Sequence, residues 1–77
     1  MAGKALLQAF GKEVRFTRTN LGLSQEELAN RTNLHRNYIG MIERAERTPT
    51  LLVVERLARA LQTKASELVA RAEHRTR

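Results

Sequence analysis

Apolar residues recur at every third or fourth position along most of the chain, and no stretch alternates apolar with polar residues between turn signals. The pattern predicts an all-α fold of five helices. The first runs from about Ala5 to Asn20, with Leu7, Phe10, Val14 and Thr17 or Leu21 as its inward stripe. Gly22 stops it, because glycine enters the left-handed region without a Cβ clash. The second begins at Ser24, where Ser24-Gln25-Glu26-Glu27 has the spacing of a capping box and Leu23 and Leu28 that of a hydrophobic staple. It ends near Arg31 or Thr32. At about two turns it depends on packing rather than on propensity. Asn33 takes the positive φ of the following turn, and His35 sits at the cap of a third helix from about Arg36 to Arg44. Pro49 breaks the chain again. A fourth helix starts between Thr50 and Val53 and reaches Leu61, with Leu51, Val54, Leu57, Ala58 and Leu61 inward. A fifth runs from about Ala65 to Glu73, with Ala65, Leu68, Val69 and Ala72 on one face. Residues 74–77 form a frayed basic tail. The expected organisation is a single domain over residues 1–77, with its core in about 5–73.

Composition narrows the class. A chain of 77 residues is one domain with one small core. Fourteen Lys and Arg against eight Asp and Glu leave a net charge of +6, which points to a polyanionic partner. That balance alone leaves DNA, RNA and a membrane surface open. One Tyr, two Phe and no Trp make a base-stacking surface for single strands a poor fit. Cysteine is absent and the two histidines, His35 and His74, are far apart in sequence, so neither a disulfide nor a metal site is expected. The longest wholly apolar run is Leu51–Val54, far short of the roughly 20 residues of a membrane span. No signal peptide is read, so a cytoplasmic protein is expected. No nucleophile–base pair or carboxylate pair can be argued, and the chain is not expected to be an enzyme or to use a cofactor or small-molecule substrate.

Two short helices joined by a tight turn inside a basic helical domain form a helix-turn-helix arrangement. The residues sharpen that reading. Leu21-Gly-Leu-Ser-Gln-Glu-Glu-Leu-Ala29, Leu34-His-Arg-Asn-Tyr-Ile-Gly-Met-Ile-Glu-Arg44 and Arg47-Thr-Pro49 resemble the Xre or phage-repressor-like helix-turn-helix family, and the likeness spans roughly Phe10 to Val69. Within it, the segment from Leu34 to Arg44 looks like that of the controller proteins of restriction–modification systems. The resemblance implies a compact five-helix lambda-repressor-like domain that binds double-stranded DNA and regulates transcription.

The third helix can also be read without the family. With Ile39 and Ile42 inward, Arg36, Asn37, Gly40, Met41 and Arg44 form a continuous outer strip that carries no acid. Arginine forks onto guanine O6 and N7, asparagine pairs with adenine N6 and N7, and an apolar side chain meets the thymine methyl. Gly40 costs about 1 kcal/mol against Ala in a helix interior. Close approach of the helix to DNA offsets that cost, and close packing of a neighbouring helix is the alternative. The resemblance adds further roles. Gln25 matches a glutamine that bonds a phosphate and braces the reading helix, its plainer role being an early-helix polar residue. Arg47 and Thr48 match a loop that contacts the DNA backbone, and Arg18 with Glu43 matches a structural ion pair. His35 lies at the turn, near phosphate. Tyr38 has two open roles, a hydroxyl donated to phosphate or a ring that closes the core edge. Glu26, Glu27 and Glu46 are expected to be solvated charges. Three positions depart from the family's pattern. Ala45 stands where it has a helix-ending glycine, Phe16 and Thr17 exchange its usual polarity, and Leu52 stands where it has a capping residue.

Leu52, Val53, Ala60, Val69 and Ala72 exceed what one small core covers, and they predict a homodimer through the last two helices. Two reading helices would then face successive major grooves of a near-palindromic site, about 34 Å apart. Two other uses of the fold stay open, an antitoxin that represses its own operon and a protein–protein adaptor.

Overall fold

The chain folds into five helices and no strands over residues 2–77, which are those described by the computed structural model: α1 (Ala2–Asn20), α2 (Gln25–Thr32), α3 (Arg36–Glu43), α4 (Leu51–Ala60) and α5 (Ala65–Arg75). The α1 helix packs on α5 and α3, α2 on α3 and α4, and α4 on α5. No helix among the described residues is long and apolar enough to cross a membrane.

Local chemistry sets the ends of these helices. Ser24 caps α2 in a complete capping box: its Oγ accepts from the Glu27 N–H at 3.0 Å, and Glu27 Oε1 accepts from the Ser24 N–H at 2.9 Å. His35 Nδ1 accepts from the Asn37 N–H at the start of α3, and Thr50 Oγ1 accepts from the Val53 N–H at the start of α4. The Thr50 cap accounts for the absence of a capping residue at Leu52. The first four helices end alike. Gly22, Asn33, Ala45 and Gln62 have φ of 74°, 58°, 61° and 62°. In each case the next residue's N–H turns back to a carbonyl of the last helical turn: Leu23 to Arg18, Leu34 to Ala29, Glu46 to Met41 and Thr63 to Ala58. This is the Schellman arrangement, which satisfies carbonyls that the helix leaves free. Ala45 therefore holds a strained left-handed conformation, and α3 does not run on past it.

The core joins Phe10 and Val14 of α1 to Leu28, Ile39, Ile42, Leu57 and Leu68, of which all but Phe10 are fully buried. Each such side chain contributes about 1.5–3 kcal/mol relative to exposure. That burial sustains two eight-residue helices that would not persist alone. Gly11 sets the spacing of α1 and α3. A Cβ there would stand 2.5 Å from the Ile42 carbonyl oxygen and 2.6 Å from that of Glu43.

Several expectations need correction. The α1 helix begins at Ala2, and its buried face runs through Ala9, Phe10, Glu13, Val14 and Arg18, while Leu21 is exposed. The face is rotated because it accommodates two charged residues that the apolar stripe ignored. Leu51 is 80% exposed rather than inward, since it lies in the first turn of α4, beyond the edge of the core. Ala72 is fully buried in the core and is unavailable to a dimer interface. Residues 74 and 75 continue α5 instead of fraying. Arg75 Nε donates to the buried Glu13 carboxylate at 2.7 Å, and Thr17 donates to the same group at 3.1 Å. The Arg75 guanidinium also lies 5.4 Å from the Phe16 ring centre and partly covers that ring, which remains 53% exposed. This contact and the Thr17 hydrogen bond account for the exchanged polarity at residues 16 and 17.

Candidate nucleic-acid interface

Helices α2 and α3 pack against each other across the turn at Thr32–His35, and their relative angle is held by a clasp at the far end of α3. Arg18 of α1 donates to Glu43 twice, Nε to Oε2 at 2.6 Å and Nη2 to Oε1 at 3.0 Å. Its Nη1 reaches the Leu23 carbonyl at 2.8 Å, just before α2. Gln25 in the first turn of α2 donates Nε2 to Glu43 Oε1 at 3.0 Å. One carboxylate thus ties three helices together, and no buried side-chain polar atom among the described residues lacks a partner. The Arg18 and Glu43 side chains are about nine-tenths buried or more. Their attraction is therefore screened far less than that of a surface pair.

With Ile39 and Ile42 fully buried, the opposite side of α3 faces solvent. Arg36 and Asn37 are exposed at its start, Met41 is half-buried, and Arg44 is exposed at its end. Gly40 differs from the sequence reading. It is buried, and what covers it is the Arg44 guanidinium. A Cβ at Gly40 would meet Arg44 Nη1 at 3.0 Å, and the three atoms nearest to it all belong to the Arg44 guanidinium. The bare backbone was expected to be open to the outside, but a side chain from one turn later lies over it.

The strip is also less free of acid than its sequence suggests. Arg44 donates Nε to Glu46 Oε2 at 3.0 Å and Nη2 to Glu46 Oε1 at 3.2 Å. These hydrogen bonds hold the Glu46 carboxyl below its ordinary range and push the Arg44 guanidinium up. At the other end, Arg36 Nη1 lies 4.0 Å from Glu26 Oε1 of α2. Sequence spacing around α3 missed both acids because they come from outside that helix. The i, i+2 relation of Arg44 and Glu46 across Ala45 was the one available signal.

The flanking residues lie around the same face. Gln25 is half-buried in the clasp, with one amide N–H used on Glu43. The His35 ring is committed through Nδ1 to capping α3. Tyr38 is half-buried against the core, and the Arg47 guanidinium stands 5.8 Å from its ring centre. Arg47 and Thr48 are exposed in the loop before α4. The arrangement offers guanidinium and amide donors on an exposed helix face, bordered by further polar groups. That is the donor set for base edges and phosphates.

Comparison with known proteins agrees with this geometry. The helix-turn-helix family matches residues 14–68. Control protein C.SmaI of Serratia marcescens is 44% identical over 64 residues, covering 83% of this chain and 76% of that protein. Control protein C.BamHI of Bacillus amyloliquefaciens is 39% identical over 61 residues, covering 78% of this chain and 75% of that one. The crystal structure of the restriction-modification controller protein C.AhdI from Aeromonas hydrophila superposes with a TM-score of 0.79 at 44% identity, covering 80% of this chain and 94% of that chain.

Proposed function

The chain belongs to the helix-turn-helix family of DNA-binding transcriptional regulators, and from that premise we propose that it is the controller of a restriction–modification system, binding a near-palindromic operator as a homodimer. The observation that carries the DNA-reading part is the exposed face of α3, fixed in angle by the Arg18–Glu43–Gln25 clasp. Arg36, Asn37, Met41 and Arg44 read base edges from the major groove. Gln25, His35, Tyr38, Arg47 and Thr48 hold the phosphate backbone. The controller assignment is supported by the identity with two control proteins and with a controller protein of known structure.

The homodimer is supported by Leu51 and Leu52, 80% and 70% exposed side by side at the start of α4. Val53, Ala60 and Val69 lie half-buried at the edge of the core and extend that surface toward α5. Sedimentation across a concentration range tests this part. The wild type is expected as a dimer and Leu52→Asp as a folded monomer with weakened operator binding. A Leu52→Asp protein that sediments as the same dimer contradicts it. Footprinting on the operator is expected to show two protected half-sites about one helical turn apart, roughly 34 Å.

A further inference from the structure

The Arg44–Glu46 pair is built by the backbone as well as by its charges. Ala45 holds φ 61°, a conformation that alanine avoids. That turn sends the Ala45 N–H to the Ile42 carbonyl and the Glu46 N–H to the Met41 carbonyl, and it brings the Glu46 side chain back alongside α3. Gly40 completes the arrangement from below, since any Cβ there would press on Arg44 Nη1 at 3.0 Å. The long Arg44 side chain is therefore held at its head by a carboxylate and lies over a residue with no side chain. The chemistry of the pairing is selective. Glu46 takes Nε and one N–H of Nη2. Both N–H groups on Nη1 and the second on Nη2 stay uncommitted, and one from each nitrogen can fork onto guanine O6 and N7. Arg36 has no such support, because its nearest acid stands 4.0 Å away at a single contact.

We infer that Glu46 is a specificity-determining positioning residue, which holds the Arg44 fork for a guanine edge and makes binding without that edge unfavourable. This rests on the proposed reading of α3 as the base-reading helix. A guanidinium fixed before contact loses less rotamer freedom on binding. A carboxylate close to the duplex also weakens contact with every sequence, and only a partner that fills the open fork compensates for it. Glu46 thus lowers affinity for random DNA and sharpens preference at one base of each half-site.

Selection of bound duplexes from a random pool, at one salt concentration, tests this with the wild type, Arg44→Ala, Glu46→Gln and Glu46→Asp. Competition binding between the selected site and random DNA accompanies it. Arg44→Ala is expected to flatten one position in each half-site. Glu46→Gln is expected to weaken that same position, to bind random DNA more tightly, and to lower the ratio of specific to random affinity about tenfold. Glu46→Asp is expected to recover part of the preference. If Arg44→Ala flattens a position that Glu46→Gln leaves sharp, the inference fails while the reading of α3 stands. A gain in affinity for all sequences alike in Glu46→Gln also overturns it. If Arg44→Ala changes no position, or the wild type selects no sequence, the reading of Arg44 or of α3 falls and the inference with it.

Discussion

Arg18 and Glu43, 25 residues apart in sequence, meet through two parallel hydrogen bonds of 2.6 and 3.0 Å and fix the last turn of α3 against α1. Removing one partner leaves the other buried without a counter-charge, which costs about 3–5 kcal/mol. Arg18→Met is expected to destabilise the domain by that amount in urea unfolding. The loss is large because the Leu23 carbonyl also loses its donor.

Gly11 makes the same contact possible from the backbone side. In an open helix Gly→Ala gains about 1 kcal/mol. Here the added methyl would fall on two carbonyl oxygens at 2.5 and 2.6 Å, neither of which can swing aside like a side chain. Gly11→Ala is expected to destabilise the fold by about 1–3 kcal/mol, read as a lower denaturant midpoint. The same change at Gly3, which meets nothing within 4 Å, is expected to leave the midpoint unchanged or higher.

Ala45 offers the opposite experiment. Its left-handed φ of 61° costs about 1–2 kcal/mol in alanine. Glycine removes that strain and gives back part of it through a freer unfolded chain. Ala45→Gly is expected to gain about 0.5–1 kcal/mol, seen as a higher melting temperature. Asn33→Gly is expected to gain less, because asparagine tolerates this region.

The capping box gives a pH signature. Hydrogen bonds from the Ser24 backbone N–H and then from its hydroxyl hold the Glu27 carboxyl below its ordinary value of 4.5. A carboxyl whose value is lowered by folding stabilises the native state in full above its unfolded value, and that contribution fades as pH falls through the folded value. Thermal melts are therefore expected to show the wild type losing its advantage over Glu27→Gln only in acid, below about pH 4.5. An advantage that instead disappears on going to alkaline pH would contradict this assignment.

Much of this was legible in the sequence, and the failures have physical reasons. The five helices, the Ser24 box, the left-handed Asn33 and the His35 cap follow from local rules that involve only near neighbours. What could not be read depends on contacts between elements. The buried Glu13 gains its counter-charge from Arg75, which returns from the far end of the chain, beside the nearby Thr17 hydroxyl. Gly11 looked like any helical glycine until α3 was laid across it. Ala72 shares its helical face with Val69 but is fully buried in the core that α5 forms with α1 and α4, whereas Val69 is only half-buried. On the α3 strip, periodicity places Arg36, Asn37, Met41 and Arg44 together, but it says nothing of acids that approach from the neighbouring turn and helix.

The account rests on α3 reading bases, and Arg36 tests it most directly. Wild type and Arg36→Ala are compared by selection from a random duplex pool at matched salt, with Arg47→Ala as the backbone control. Arg36→Ala is expected to lose about 1–3 kcal/mol on the selected site and to relax one base position per half-site. Arg47→Ala is expected to weaken all sequences alike and to shallow the salt dependence. If Arg36→Ala selects the same sequence with undiminished preference at every position, α3 is not reading DNA as described.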